Sequence, residues 1–168
     1  MAHDHKRCID QALRSADAIC SQRGVRLTPL RRQVLQLLWT DHRAVKAYDL
    51  LDSLKALAPA AKPTTIYRSL EFLLEQGLIH RIESLNAYVG CDQAEQEHNK
   101  LFLICDHCNK VEERIAGKVM RALAQETAAA GFHSARETVE IYGVCAACTA
   151  RSQADRNRLA EPSATDGQ

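Results

Sequence analysis

No apolar run of about eighteen residues occurs in the chain, which excludes an ordinary membrane-spanning helix. The opening stretch MAHDHKRCID carries charges where a secretory signal needs an apolar core. A cytoplasmic protein is therefore expected, in a compartment where thiols stay reduced and structural disulfides are uncommon. There is no phosphate-cradling Gly-rich loop, no H-E-x-x-H and no nucleophile motif. Neither hydrolysis nor group transfer is indicated, nothing calls for an organic cofactor, and the chain is not expected to be an enzyme. Net charge is also scarce, at +1, so the total makes no case for nucleic acid.

The distribution of charge says more. Residues 1–84 hold thirteen Lys/Arg against nine Asp/Glu, whereas residues 85–168 hold nine against twelve. A basic half joined to an acidic half points to two domains, the first with an anionic partner. Hydrophobic residues make up 46% of the 168, enough to place most of the chain in folded structure.

Periodicity gives the order of elements. Residues 6–23 read as a helix, with Ile9, Leu13, Ala16 and Cys20 on one stripe and Gly24 as its stop. In RLTPLRRQVLQLLW, Thr28 can cap, Pro29 suits the first turn, and Leu30, Val34, Leu37 and Leu38 recur at helical spacing. A third helix covers about 47–57. A fourth begins at Pro63 and stops at Gly77. Its wheel collects Ile66, Leu70, Leu73 and Leu74 on one side, leaving Thr64 and Arg68 opposite, with Thr65 and Tyr67 at the edges. LIHRIESLNAYVGC then reads as two short strands turning at Leu85-Asn86. Helices followed by a hairpin in this order predict a winged helix-turn-helix over residues 1–91. Residues 92–98 are the expected hinge, and 99–150 a small domain of strand, strand, helix and strand, an α+β protein overall. Residues 151–168 lack an apolar period and are expected to form a disordered tail.

Cysteine is where the chain is generous. Cys105 and Cys108, then Cys145 and Cys148, form C-x2-C-x36-C-x2-C. Two such turns suit a tetrahedral zinc ion bound by four thiolates. The separation exceeds that of compact zinc ribbons, but an intervening strand, helix and strand can bring the ends together. A redox couple would need only one pair, at a helix N-terminus, whereas both pairs here follow predicted strands. A second set gathers near the domain junction. His80 and Cys91 are symmetric about the expected turn, hence direct cross-strand neighbours with Cβ atoms ~4.5–5.5 Å apart. His98 follows in the hinge, and Glu112 or Glu113 after the first thiolate pair. One thiolate, two imidazoles and a carboxylate make a set softer than iron or manganese prefers.

RLTPLRRQVLQLL, KPTTIYRSLEFLLEQGLIHRIESLNAYVGC, FLICDHCNKVEE and GVCAAC resemble the ferric uptake regulator family, from about residue 10 to 150. AYDLLDSL, AKPTTIYR and EHNK, in place of a histidine-rich H-H-D-H run, resemble its zinc-responsive branch. The resemblance implies a homodimeric, zinc-responsive repressor that binds double-stranded operator DNA and controls zinc-uptake genes. It implies one structural zinc on Cys105, Cys108, Cys145 and Cys148. It also implies one regulatory zinc per subunit on His80, Cys91, His98 and Glu113, the carboxylate two strand positions past Val111. A third site known in some members needs a histidine where this chain has Arg136. For DNA, Arg68 is the expected guanine contact, since a guanidinium pairs with two acceptors at once. Tyr67, Thr64 and Thr65 are candidates for bases, thymine methyls or phosphates. Tyr48 resembles a DNA-contacting tyrosine of the zinc branch, and Arg31 serves either a phosphate or an internal ion pair. The alternatives are a sister regulator that senses iron or peroxide, and a thiol oxidoreductase using one Cys-x-x-Cys.

Overall fold

The structure, a computed structural model, describes residues 5–40, 43–57, 59, 61–92, 94, 100–135 and 137–160. Four helices come first: α1 (His5–Gln22), α2 (Pro29–Leu38), α3 (Ala47–Leu57) and α4 (Pro63–Glu75). The hairpin β1 (Ile79–Ile82) and β2 (Ala87–Gly90) follows. The second part is β3 (Lys100–Cys105), β4 (Val111–Ile115), α5 (Gly117–Ala129), β5 (Thr138–Gly143) and α6 (Ala146–Ala160). No helix among the described residues is long and apolar enough to cross a membrane.

Local chemistry accounts for the helix ends. Thr28 caps α2, its hydroxyl accepting from the Arg31 N–H at 3.4 Å, with Pro29 in the first turn where no N–H is missed. Gly77 takes φ +66°, a left-handed conformation that side chains resist. Its N–H reaches the Leu74 carbonyl and the next N–H reaches Leu73, a Schellman stop that turns the chain directly into β1. Inside, Val34, Leu38, Leu50, Leu54, Ile66, Leu70 and Leu73 are buried in one core shared by α1 to α4. The winged domain thereby holds the exposed face of α4 in a set orientation.

The hairpin differs in register from its expected form. Its last pair is Ile82 with Ala87, so the loop is the four residues Glu83 to Asn86 rather than a two-residue turn. Asn86 adopts φ 47° and its N–H closes the turn onto the Glu83 carbonyl at 3.1 Å. His80 therefore pairs with Val89, and Cys91 lies across from Leu78, whose carbonyl accepts the Cys91 N–H at 3.0 Å. The shift is two residues, so side-chain parity survives: His80, Val89 and Cys91 still share a face. Val45 adds a bridge to Tyr88 at the hairpin's outer edge.

In the second sheet β3 is central, antiparallel to β4 and parallel to β5. A second small core, Ile82 and Val89 from the hairpin with Phe102, Ile104 and Val111 from this sheet, joins the two parts. The expected tail is a helix as far as Ala160: α6 runs ten residues past position 150. Alanine and arginine favour helix without any apolar period, and the Ser152 hydroxyl and Arg151 guanidinium both tie back to Cys148. Residues 161–168, and all of the hinge except Asp92 and Ala94, lie outside the described residues.

Gly90 ends β2 directly under the only tryptophan; a Cβ there would lie 2.4 Å from Trp39 Nε1. Gly90→Ala is expected to destabilise the winged domain by about 1–3 kcal/mol through overpacking. Gly143→Ala, with nothing within 4 Å of its Cβ, is the near-neutral control. Denaturant unfolding followed by Trp39 fluorescence measures both.

Candidate metal centres and nucleic-acid interface

Parallel pairing of β3 with β5 ends with Cys105 opposite Gly143, which brings the two Cys-x-x-Cys turns side by side. Asn109, at φ 56°, closes the first turn with its N–H on the Cys105 carbonyl. The second turn opens α6, where the Cys148 N–H reaches the Cys145 carbonyl at 3.0 Å. The four sulfurs all lie within 4.8 Å of one another. Cys108 Sγ and Cys145 Sγ are 3.8 Å apart, beyond disulfide length, and none of the seven cysteines is in a disulfide.

These thiols do not titrate alike. The Cys145 N–H, 3.4 Å from Cys105 Sγ, together with N–H groups of Cys108 and His107, lowers Cys105 to about 6. At Cys148 the Arg151 guanidinium, 2.9 Å from the sulfur, favours the thiolate. Burial and the three neighbouring sulfurs outweigh it and push Cys148 up to about 11. Four sulfurs sharing one space cannot all ionise unless a cation sits among them, so the donor set fits a zinc ion. Arg151 lies in α6, within a segment whose sequence has no apolar period to mark it.

The junction set is built from three elements. His80 on β1, Cys91 just after β2 and Glu113 on β4 place their ligand atoms within 4.8 Å of one another. The His80 and Glu113 side chains are nearly inaccessible, with Nε2 to Oε1 at 2.8 Å. Glu113 also accepts the Asp92 N–H at 3.2 Å. Glu112 pairs across from Leu103, on the opposite sheet face, and binds Arg114 instead. An imidazole, a thiolate and a carboxylate converging in a buried space are donors a zinc ion accepts, with room in its coordination for one more. His98, like Arg136, lies outside the described residues. Phe102, which periodicity could not single out, backs the site: its ring centroid is 5.3 Å from that of His80.

On the winged domain, Thr64 and Arg68 are exposed near the start of α4, Tyr67 is 47% exposed, and Thr65 is half-buried. Tyr48, in the first turn of α3, is 66% exposed. Thr64, Thr65 and Arg68 border a concavity that also takes in Thr28 and Arg31. Arg31 is engaged internally, though with no acid among the described residues. Its guanidinium stacks 3.6 Å from the centroid of Phe72 and donates to the Arg26 carbonyl at 2.7 Å.

The ferric uptake regulator family model matches residues 22–142, more than half of the chain. The zinc uptake regulation protein of Escherichia coli (strain K12) is 44% identical over 144 residues, spanning 85% of this chain and 84% of that protein. Among solved structures, a zinc uptake regulator complexed with zinc and DNA superposes with TM-score 0.82 at 43% identity, over 86% of this chain and 97% of that one. Holo XcZur superposes at 0.75 with 40% identity, over 82% and 96% of the two chains. Apo XcZur, 38% identical over 84% and 97%, superposes at only 0.50.

Since Cys105 and Cys148 are equally buried, their ionisation should set their relative reactivity. In zinc-stripped protein at pH 7, Cys105 is expected to alkylate about tenfold faster than Cys148, or more, measured by mass-mapped iodoacetamide labelling. Equal rates would contradict the assignment of the N–H···S bonds.

Proposed function

The chain belongs to the ferric uptake regulator family, and from that premise we propose that it is a zinc-responsive transcriptional repressor that binds operator DNA as a homodimer. The observation that carries this reading is the junction itself. His80 and Cys91 belong to the winged domain and Glu113 to the other, so their ligand atoms meet in one relative orientation of the two parts. Zinc bound there supplies a divalent charge that holds an imidazole, a thiolate and a carboxylate together. Every residue that contributes a donor favours the joined orientation by the difference in affinity between it and the others.

The comparisons support this link between metal and arrangement. The holo and apo forms of XcZur match this chain at similar identity and coverage but at TM-scores of 0.75 and 0.50, a gap that a metal-dependent arrangement of the two parts accounts for on this reading. His98 is assigned as the fourth ligand by the family's pattern. The four thiolates of Cys105, Cys108, Cys145 and Cys148 hold the structural ion, which staples a small domain whose core would otherwise be marginal. The controlled genes are those for zinc uptake, the protein works in the cytoplasm, and it performs no catalysis.

Dimerisation falls to the outer face of the second sheet and its surroundings, where Leu103, Ile141, Val144 and Phe132 are exposed. Leu103, Ile141 and Val144 line one concavity, and exposed apolar side chains grouped in this way fit a second copy of the chain. The joined dimer presents two α4 helices. Arg68 reads a guanine edge in the major groove, with Tyr67, Thr64, Thr65 and Tyr48 on neighbouring bases and phosphates. Arg31 braces α2 against α4 through Phe72 and serves DNA only by positioning it.

Operator affinity measured against buffered free zinc tests the reading. Wild-type affinity is expected to rise by about 5–150-fold with zinc, the range of ordinary allosteric coupling. Cys91→Ser should remain at the low value throughout, and equal zinc response in both would refute the junction assignment. Arg68→Ala should weaken operator binding about tenfold or more at saturating zinc and relax base preference. Unchanged discrimination between operator and random DNA would remove Arg68 from the reading head.

A further inference from the structure

Three residues stand in one row across the second sheet. Glu113 on β4 and Glu140 on β5 both pair with Phe102 on β3, so all three side chains share the face turned to the hairpin. The hairpin meets this row at two places. His80 contacts Glu113 and the Phe102 ring, while the turn after β1 contacts Glu140. The Glu83 N–H donates to Glu140 Oε1 at 2.9 Å, and the Ser84 hydroxyl donates to Glu140 Oε2. Tyr142 Oη joins this group, within hydrogen-bonding reach of Ser84 Oγ and 3.5 Å from Glu140 Oε2.

We propose that Glu140 is a positioning residue for the junction metal centre, seating the hairpin turn so that His80 and Cys91 arrive at Glu113. This rests on the reading of His80, Cys91 and Glu113 as a metal site. The argument is geometric. A hairpin seated only by Ile82, Val89 and His80 can rotate about the His80–Phe102 contact, and such a rotation changes the direction in which the His80 imidazole and the nearby Cys91 sulfur meet Glu113. Anchoring the turn at Glu140 removes that freedom. The carboxylate suits the task because it accepts from a backbone N–H and a hydroxyl at once, and charge-assisted bonds are the stronger kind. None of the three groups supplies a metal ligand, so the clasp acts on metal affinity only through orientation.

The test is competitive zinc titration of the full chain with the four-cysteine site loaded, together with hydrogen exchange at the Glu83 amide. Glu140→Ala is expected to bind junction zinc about tenfold more weakly, with the Glu83 amide losing protection and the structural zinc retained. Glu140→Gln, which keeps one carbonyl acceptor, should fall between the two and guards against a variant that fails to fold. Excess zinc should restore operator binding to Glu140→Ala but not to Cys91→Ser, which separates positioning from ligation. Junction zinc lost by Cys91→Ser but held with unchanged affinity by both Glu140 variants overturns this proposal alone. No junction zinc in the wild type overturns the metal-centre reading and this proposal with it.

Discussion

The structure depends on how one face of a three-stranded sheet receives a hairpin from the other domain. β3 pairs on both edges, and that pairing alone puts Glu113, Phe102 and Glu140 in register. Phe102 is wholly buried between the parts, with Ile104 and Val111 beside it and Ile82 and Val89 from the hairpin above. This second core is much smaller than the one under the winged helices. Interfaces of modest size leave domains free to move relative to one another unless something further holds them. A metal set drawn from both sides is well placed to do so, because the energy it must supply is a bias between arrangements rather than the cost of folding either part.

The thiolate centre works at the other end of the same sheet. Parallel pairing of β3 and β5 carries Cys105 to the level of Gly143, and the turns beyond each strand deliver the remaining sulfurs. A small domain with much of its apolar surface exposed gains a staple where its own packing is thin. On the proposed reading the two metal sets divide the labour: one makes the sheet a stable platform, the other joins the winged domain to it.

Much of this was legible in the residues. The helices follow from their apolar period and from Thr28, Pro29, Gly24 and Gly77, which are signals local to the chain. The thiolate pairs rest on spacing, whereas Glu113 rather than Glu112 follows from the family resemblance, and the structure puts the two carboxylates on opposite faces. The hairpin register was misjudged because a four-residue loop closed on Asn86 leaves the same composition as a two-residue turn. Parity rescued the juxtaposition of His80 and Cys91 even so. Phe102, Glu140 and Arg151 escaped because their roles come from partners far along the chain. α6 was missed because an exposed helix needs propensity, not an apolar stripe.

The central claim is that metal binding at the junction selects one arrangement of the two parts. Its most direct test is single-molecule energy transfer between dyes at Glu75, just before the hairpin, and Lys118 on α5, both exposed and both within one copy of the chain. Raising free zinc through the range that fills the junction, with the thiolate centre already loaded, should collapse a broad or divided distance distribution into one narrow population. An identical distribution at low and high zinc would contradict the account.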